Sequence, residues 1–234
     1  MPSMQNAQTL NLPVSALDTE SRATFMTRTY THLLFAILAF TGIEVFLFTS
    51  GLALPIAQAL TSVNWLFVLG GFMVVSWLAS HLAMSNASIA GQYLGLGGFV
   101  VAESIIFVPL LFIANYEAPG TIQSAATVTL MGFVGLTAVA FSTRKDFSFL
   151  GAILRWGGMV ALVAIAAGVL FGFQLGMFFS VAMVAFAGAA VLYDTSNVLH
   201  HFPEDRYVGA ALQLFASIAL MFWYVLRIFL GSRR

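Results

Sequence analysis

Three carboxylates stand in stretches dominated by apolar and small residues: Glu44 in GIEVF, Glu103 in VVAESIIFV and Asp194 in VLYDTSNVL. Two basic groups have similar surroundings, His81 in LASHLAM and Arg155 in GAILRWGGM. A charge held in hydrocarbon costs at least about 2.5 to 3.5 kcal/mol on insertion scales, so such a residue marks a transport or gating site by default. Each acid must be protonated, paired across helices or turned toward water. The excess of acid over base gives an interior that attracts cations and protons rather than anions.

The elements that position these groups follow from composition. Of 234 residues 60% are hydrophobic and 8% charged, and the mean hydropathy is +0.96. Nine basic and nine acidic side chains cannot cover a water-soluble globule of 25.2 kDa, so the chain is integral to a membrane. Zero net charge removes the nucleic-acid reading, and the absence of cysteine removes disulfides, thiolate metal sites and thiol nucleophiles. Seven stretches are long enough to cross: Tyr30 to Thr49, Val63 to Met84, Gln92 to Ala114, Ile122 to Phe141, Phe149 to Phe171, Leu175 to Leu199 and Tyr207 to Leu230. Backbone groups in lipid must be satisfied within the segment, so these are helices, in an all-α integral membrane bundle of seven transmembrane helices. Residues 1–29 form a polar N-terminal tail and 30–234 one transmembrane domain.

Basic residues orient the bundle. With the N-terminus cytoplasmic, that side carries Arg22, Arg28, Arg144, Lys145, Arg155 and Arg206, and the far side Arg227, Arg233 and Arg234. Full crossing of the last segment is preferred over re-entry because its interior is apolar. At 1.5 Å rise per residue, Arg155 lies about 9 Å and Asp194 about 8 Å from the cytoplasmic ends of consecutive antiparallel spans, so they can pair. His81 is the alternative partner. Glu103 lies roughly 16 Å from either face with no basic residue in its own span. Glycines at i, i+4, Gly91/Gly95 and Gly168/Gly172/Gly176, are expected to let helices approach, and Pro109 to kink the third span.

Known seven-helix chemistries do not fit. The one lysine, Lys145, falls in a loop, so no Schiff base forms within a span. Tyr193-Asp194 lacks the Gly-x-Gly-Asp partner of intramembrane aspartyl proteases. His200 and His201 beside Glu204 and Asp205 read as a solvated turn rather than a metal site. No enzyme activity, cofactor or bound metal is expected.

The last third of the chain carries LFGFQLGMFFS, LYDTSNVLHHF and YVGAALQLFASIALMFWYVLRIFLG. In these segments it resembles the bacterial branch of the Bax inhibitor-1 (transmembrane Bax inhibitor motif) family. The resemblance implies a last helix surrounded by the other six and a pH-regulated leak of cations, chiefly calcium. In calcium-leak members an aspartate matching Asp194 shares a proton with a second aspartate on the last helix and, when closed, meets an Arg on the second helix. Here that second position is Ser217, and span two carries His81 but no Arg. Serine cannot share titration with Asp194, so pH sensing has moved to Glu103, Glu44 or His81, or this member is not a pH-gated calcium leak. The expected function is a cation (calcium or proton) leak in the bacterial inner membrane, with Asp194, Glu103, Glu44 and Ser217 on the ion pathway and Arg155 and His81 as charge partners. The alternative is a non-conducting regulator of a membrane-bound AAA protease, contacted through residues 1–29.

Overall fold

The computed structural model describes residues 13–84, 88–143 and 145–232. Eight α-helices are found among them: α1 (Thr19–Thr49), α2 (Ala53–Ser62), α3 (Trp65–Met84), α4 (Ile89–Glu117), α5 (Thr121–Thr143), α6 (Leu150–Phe171), α7 (Gly176–His200) and α8 (Tyr207–Gly231). All but α2 are long and apolar enough to cross a membrane. The helix α2, not anticipated from sequence, has ten residues and spans about 15 Å, too short to cross. Its Ala53 and Ala57 pack with Leu47 and Val108.

Helix α1 begins at Thr19, inside the stretch expected to be a tail. Asp18 caps it, accepting from the backbone N–H groups of Glu20 and Ser21 at 3.0 Å and from the Ser21 hydroxyl at 2.8 Å. These bonds hold the Asp18 carboxyl below its ordinary value. Ahead of the cap, the Val14 amide donates to the Phe202 carbonyl at 2.9 Å and the Ser15 hydroxyl to the His200 carbonyl at 2.8 Å. Val14 is fully buried, so residues 13–17 form a strap across the end of α7. Val14→Ala removes two buried methyl groups at a cost of about 1.5 kcal/mol. Hydrogen exchange of the variant should show the backbone amide at position 14 losing protection while the bundle amides keep theirs. Residues 1–12, the rest of the expected tail, lie outside the described residues, as do Arg144, Arg233 and Arg234 of the charge count.

Helix α8 lies at the centre. It packs against α1, α3, α4, α5 and α7, and runs 25 residues without a break, as full crossing requires. Helix α6 stands apart from this ring and packs chiefly on α7. Because lipid removes the ordinary hydrophobic drive between helices, their contacts depend on close packing. Aromatic rings supply much of it on α8: Phe215 meets Phe40 and Phe99, Phe222 stacks on Phe107 at 5.5 Å, and Trp223 stacks on Trp65 at 6.1 Å. Helix α4 continues through the buried Pro109 to Glu117. The expected glycine packing holds at Gly95, where α3 and α4 touch backbone to backbone. Gly172 and Gly176 serve another purpose: with φ of 74° and 63° they shape the turn from α6 to α7.

Candidate functional site

All three intramembrane acids lie on the buried stripes of their helices. Glu44 continues the line of Leu33, Ala36 and Leu47 on α1, Glu103 that of Leu96, Phe99 and Phe107 on α4, and Asp194 that of Met183, Ala187, Val191 and Val198 on α7. Each is between 5% and 7% exposed, which turns it into the bundle rather than toward lipid.

Asp194 meets the central helix directly. The Ser217 hydroxyl on α8 donates a hydrogen bond to the Asp194 carboxylate. On its other side, Asp194 lines a cleft of about 350 Å³ shared with Ser148, Gly151, Leu154, Arg155 and Tyr193. Asp194 and Arg155 therefore share one cavity, as their depths predict, but no ion pair joins them among the described residues. Arg155 is exposed. Gly151 shapes this cleft: a Cβ there would come within 2.8 Å of the Tyr193 ring, so only glycine lets the ring lie against α6. His81 is not brought to Asp194; it is exposed and stacks on Trp77 with ring centroids 5.7 Å apart.

Loops close the lower edge of the cleft. The Phe147 amide donates to the Ser196 hydroxyl at 2.9 Å, and Asp146 accepts from the Ser148 amide at 2.8 Å while facing His201 at 3.1 Å. The Ser148 bonds, then the His201 contact, hold the Asp146 carboxyl below its ordinary value. A carboxyl whose folded value is depressed stabilises the fold above its unfolded value, and the contribution disappears as pH falls through the folded value. The Ser148 amide is expected to be protected at about pH 6 and to lose that protection toward about pH 3. Asp146→Asn should flatten this dependence in exchange measurements corrected for intrinsic rates.

Glu44 and Glu103 lie elsewhere. Glu44 lines a second cavity of about 490 Å³ toward the opposite end of the bundle, walled by α1, α4, α5 and α8. Both of its carboxylate oxygens are buried and without a hydrogen-bond partner among the described residues, as is the hydroxyl of Thr129 in the same cavity. Glu103 is buried at mid-α4 and lines neither of these two cavities. Sequence reading missed Tyr193, Gly151 and Thr129. It also missed the buried hydroxyls of Tyr30, Thr137 and Thr195, which lie near one another in the bundle. Single hydroxyls in apolar spans give no signal by themselves, although Tyr193-Asp194-Thr195-Ser196 is a dense polar run for a membrane helix.

Comparison with known proteins agrees with this architecture. The chain is 32% identical over 187 residues to the uncharacterized protein PA2604 of Pseudomonas aeruginosa, covering 77% of this chain and 81% of that one. It is 32% identical over 101 residues to the Modulator of FtsH protease YccA of Escherichia coli, covering 43% and 46%. It is 33% identical over 146 residues to Protein LIFEGUARD 4 of Arabidopsis thaliana, covering 59% and 57%. A sequence model of the family described as Inhibitor of apoptosis-promoting Bax1 matches residues 22–234, and with seven membrane-length helices among the described residues, α1, α3, α4, α5 and α7 packed around the last and α6 outside them, the chain belongs to that family.

Proposed function

We propose that this membrane protein is a cation leak, passing calcium or protons, with Asp194 as its gating carboxylate. The observation that carries the reading is the contact of Asp194 with Ser217 on the central helix at the wall of a cleft. Acid-lined cavities in opposite halves of the bundle, at Asp194 and at Glu44, are what a path interrupted near α8 requires. Between the two cavities α8 carries Ser217 beside Phe215 and Ile218, so a shift of this helix acts on both. Arg155 supplies from α6 the positive charge that span two lacks, and closes the cleft by swinging onto Asp194. The orientation with the N-terminus in the cytoplasm follows from the basic residues and puts the Asp194 cleft on that side.

Calcium flux from liposomes across a pH series tests the reading. Purified protein is expected to raise flux above empty liposomes, Glu103→Gln to reduce it, and Arg155→Ala to raise it further. Flux no greater than that of empty vesicles at every pH would sink the proposal.

The similarity to YccA, named as a modulator of FtsH protease, favours a second reading as a regulator that binds a membrane-bound protease. Deletion of residues 1–12 is the clean test, because deletion through residue 29 also removes Phe25 and Thr29 from the core. Under this reading the deletion abolishes the effect on the protease, and substitution of the buried acids does not.

A further inference from the structure

The cavity at Glu44 has a composition unlike that of an inorganic ion site. Its walls are mostly apolar, with the rings of Phe40, Phe48, Phe215 and Phe222, while Glu44 and Thr129 provide buried polar atoms without a hydrogen-bond partner among the described residues. Among the described residues, none of those lining it is basic. A buried ionised carboxylate without a donor is costly, so Glu44 either stays protonated or takes its complement from an occupant of the cavity. Calcium takes six to eight oxygen ligands around one point, whereas of the oxygens lining this cavity only those of Glu44 and Thr129 are both buried and without a partner among the described residues. Aromatic faces do not replace a hydration shell for a small dication, but they do attract organic ammonium groups. At about 490 Å³ the cavity lies in the range of small-molecule sites. Its rim includes exposed Val45, Tyr116 and Leu130 on the perimeter of the bundle, where the surrounding medium is lipid, so an apolar molecule can enter from the side.

We infer that this cavity is a binding site for hydrophobic amines, which place the ammonium on Glu44 and Thr129 and the apolar body against the phenylalanine rings. The inference goes beyond ion conduction and does not depend on it. A lipid tail alone satisfies the walls but leaves Glu44 unpaired, which is why a cationic occupant is preferred.

Dansylcadaverine, a primary amine on an aromatic body, and its neutral N-acetyl derivative form a matched pair of probes. Their fluorescence is titrated with protein in phosphatidylcholine nanodiscs and with empty nanodiscs. The amine should bind saturably and at least about tenfold tighter than the amide, the ratio 1.4 kcal/mol supplies. Glu44→Gln should erase that preference while leaving amide uptake unchanged. Ala126→Phe, which fills the cavity with an apolar ring, should remove saturable binding of both probes and provides a second variant if Glu44→Gln folds poorly. Equal binding of amine and amide, an unchanged preference in Glu44→Gln, or uptake no greater than that of empty nanodiscs overturns the inference. The last result would mean that lipid tails fill the groove.

Discussion

Asp194→Asn is expected to cut cation flux at least about tenfold, equivalent to 1.4 kcal/mol, while leaving the protein folded. The two side chains are nearly isosteric, and the Asn carbonyl still accepts from the Ser217 hydroxyl, so the contact between α7 and α8 survives. What disappears is the negative charge at the wall of the cleft, in a setting where low dielectric makes a single charge count. Ser217→Ala separates contact from charge: it leaves the carboxylate and removes its donor, so flux should rise if the Ser217 bond holds the path closed. Ser217→Asp goes further. Two carboxylates in contact titrate as a pair, and the pH profile of flux should change from one step to two. Liposomes prepared over a pH series read all three variants in one assay. Equal flux in wild type and Asp194→Asn would remove Asp194 from the path.

The spans were legible because lipid demands length and apolarity, and both are written residue by residue. Each observed membrane helix except the first begins and ends within a few residues of the apolar stretch that announces it. The exception is instructive. Thr19 to Thr29 reads as polar, yet Phe25 and Thr29 continue the buried stripe of Leu33 and Ala36, and Asp18 with Ser21 is a capping pattern that marks the true start. Hydropathy alone hides an extension of this kind, because it weighs average polarity rather than the buried face.

Which acids converge was harder to read. Helices apolar on every side have no face that periodicity can assign to the core. Depth along the chain therefore placed Arg155 and Asp194 at one level, and they do share a cleft, but the same arithmetic left His81 as the alternative partner. His81 instead lies on the exposed side of α3 against Trp77. Rotation about the helix axis decides between such alternatives, and packing sets it through residues such as Gly95, whose spacing announces a close approach but not the partner, and Gly209, which no spacing marks.

Gly95→Ala and Gly209→Ala are each expected to destabilise the fold by about 1 to 3 kcal/mol, the usual cost of overpacking. A Cβ at Gly95 would lie 2.5 Å from the Ala79 carbonyl oxygen and 3.0 Å from the Ala83 amide nitrogen. At Gly209 it would lie 2.7 Å from the Ala83 carbonyl oxygen and 2.8 Å from the Met84 sulfur. The sulfur can move; the backbone of α3 can yield only by shifting the helix. Both substitutions therefore press on one segment around the fully buried Ala83, the first from α4 and the second from α8. Sites that share a partner do not add, so a helix already displaced by one methyl group should tolerate the other at reduced cost. The double variant is expected to lose less than the sum of the two single losses, measured as unfolding midpoints in detergent. Additive losses would show that α3 relaxes independently at its two contacts, and unchanged midpoints would show that the helices separate without cost. Because α8 also carries Ser217, a displacement that starts at Gly209 reaches the Asp194 contact two turns away, and Gly209→Ala should alter flux where Gly95→Ala does so less.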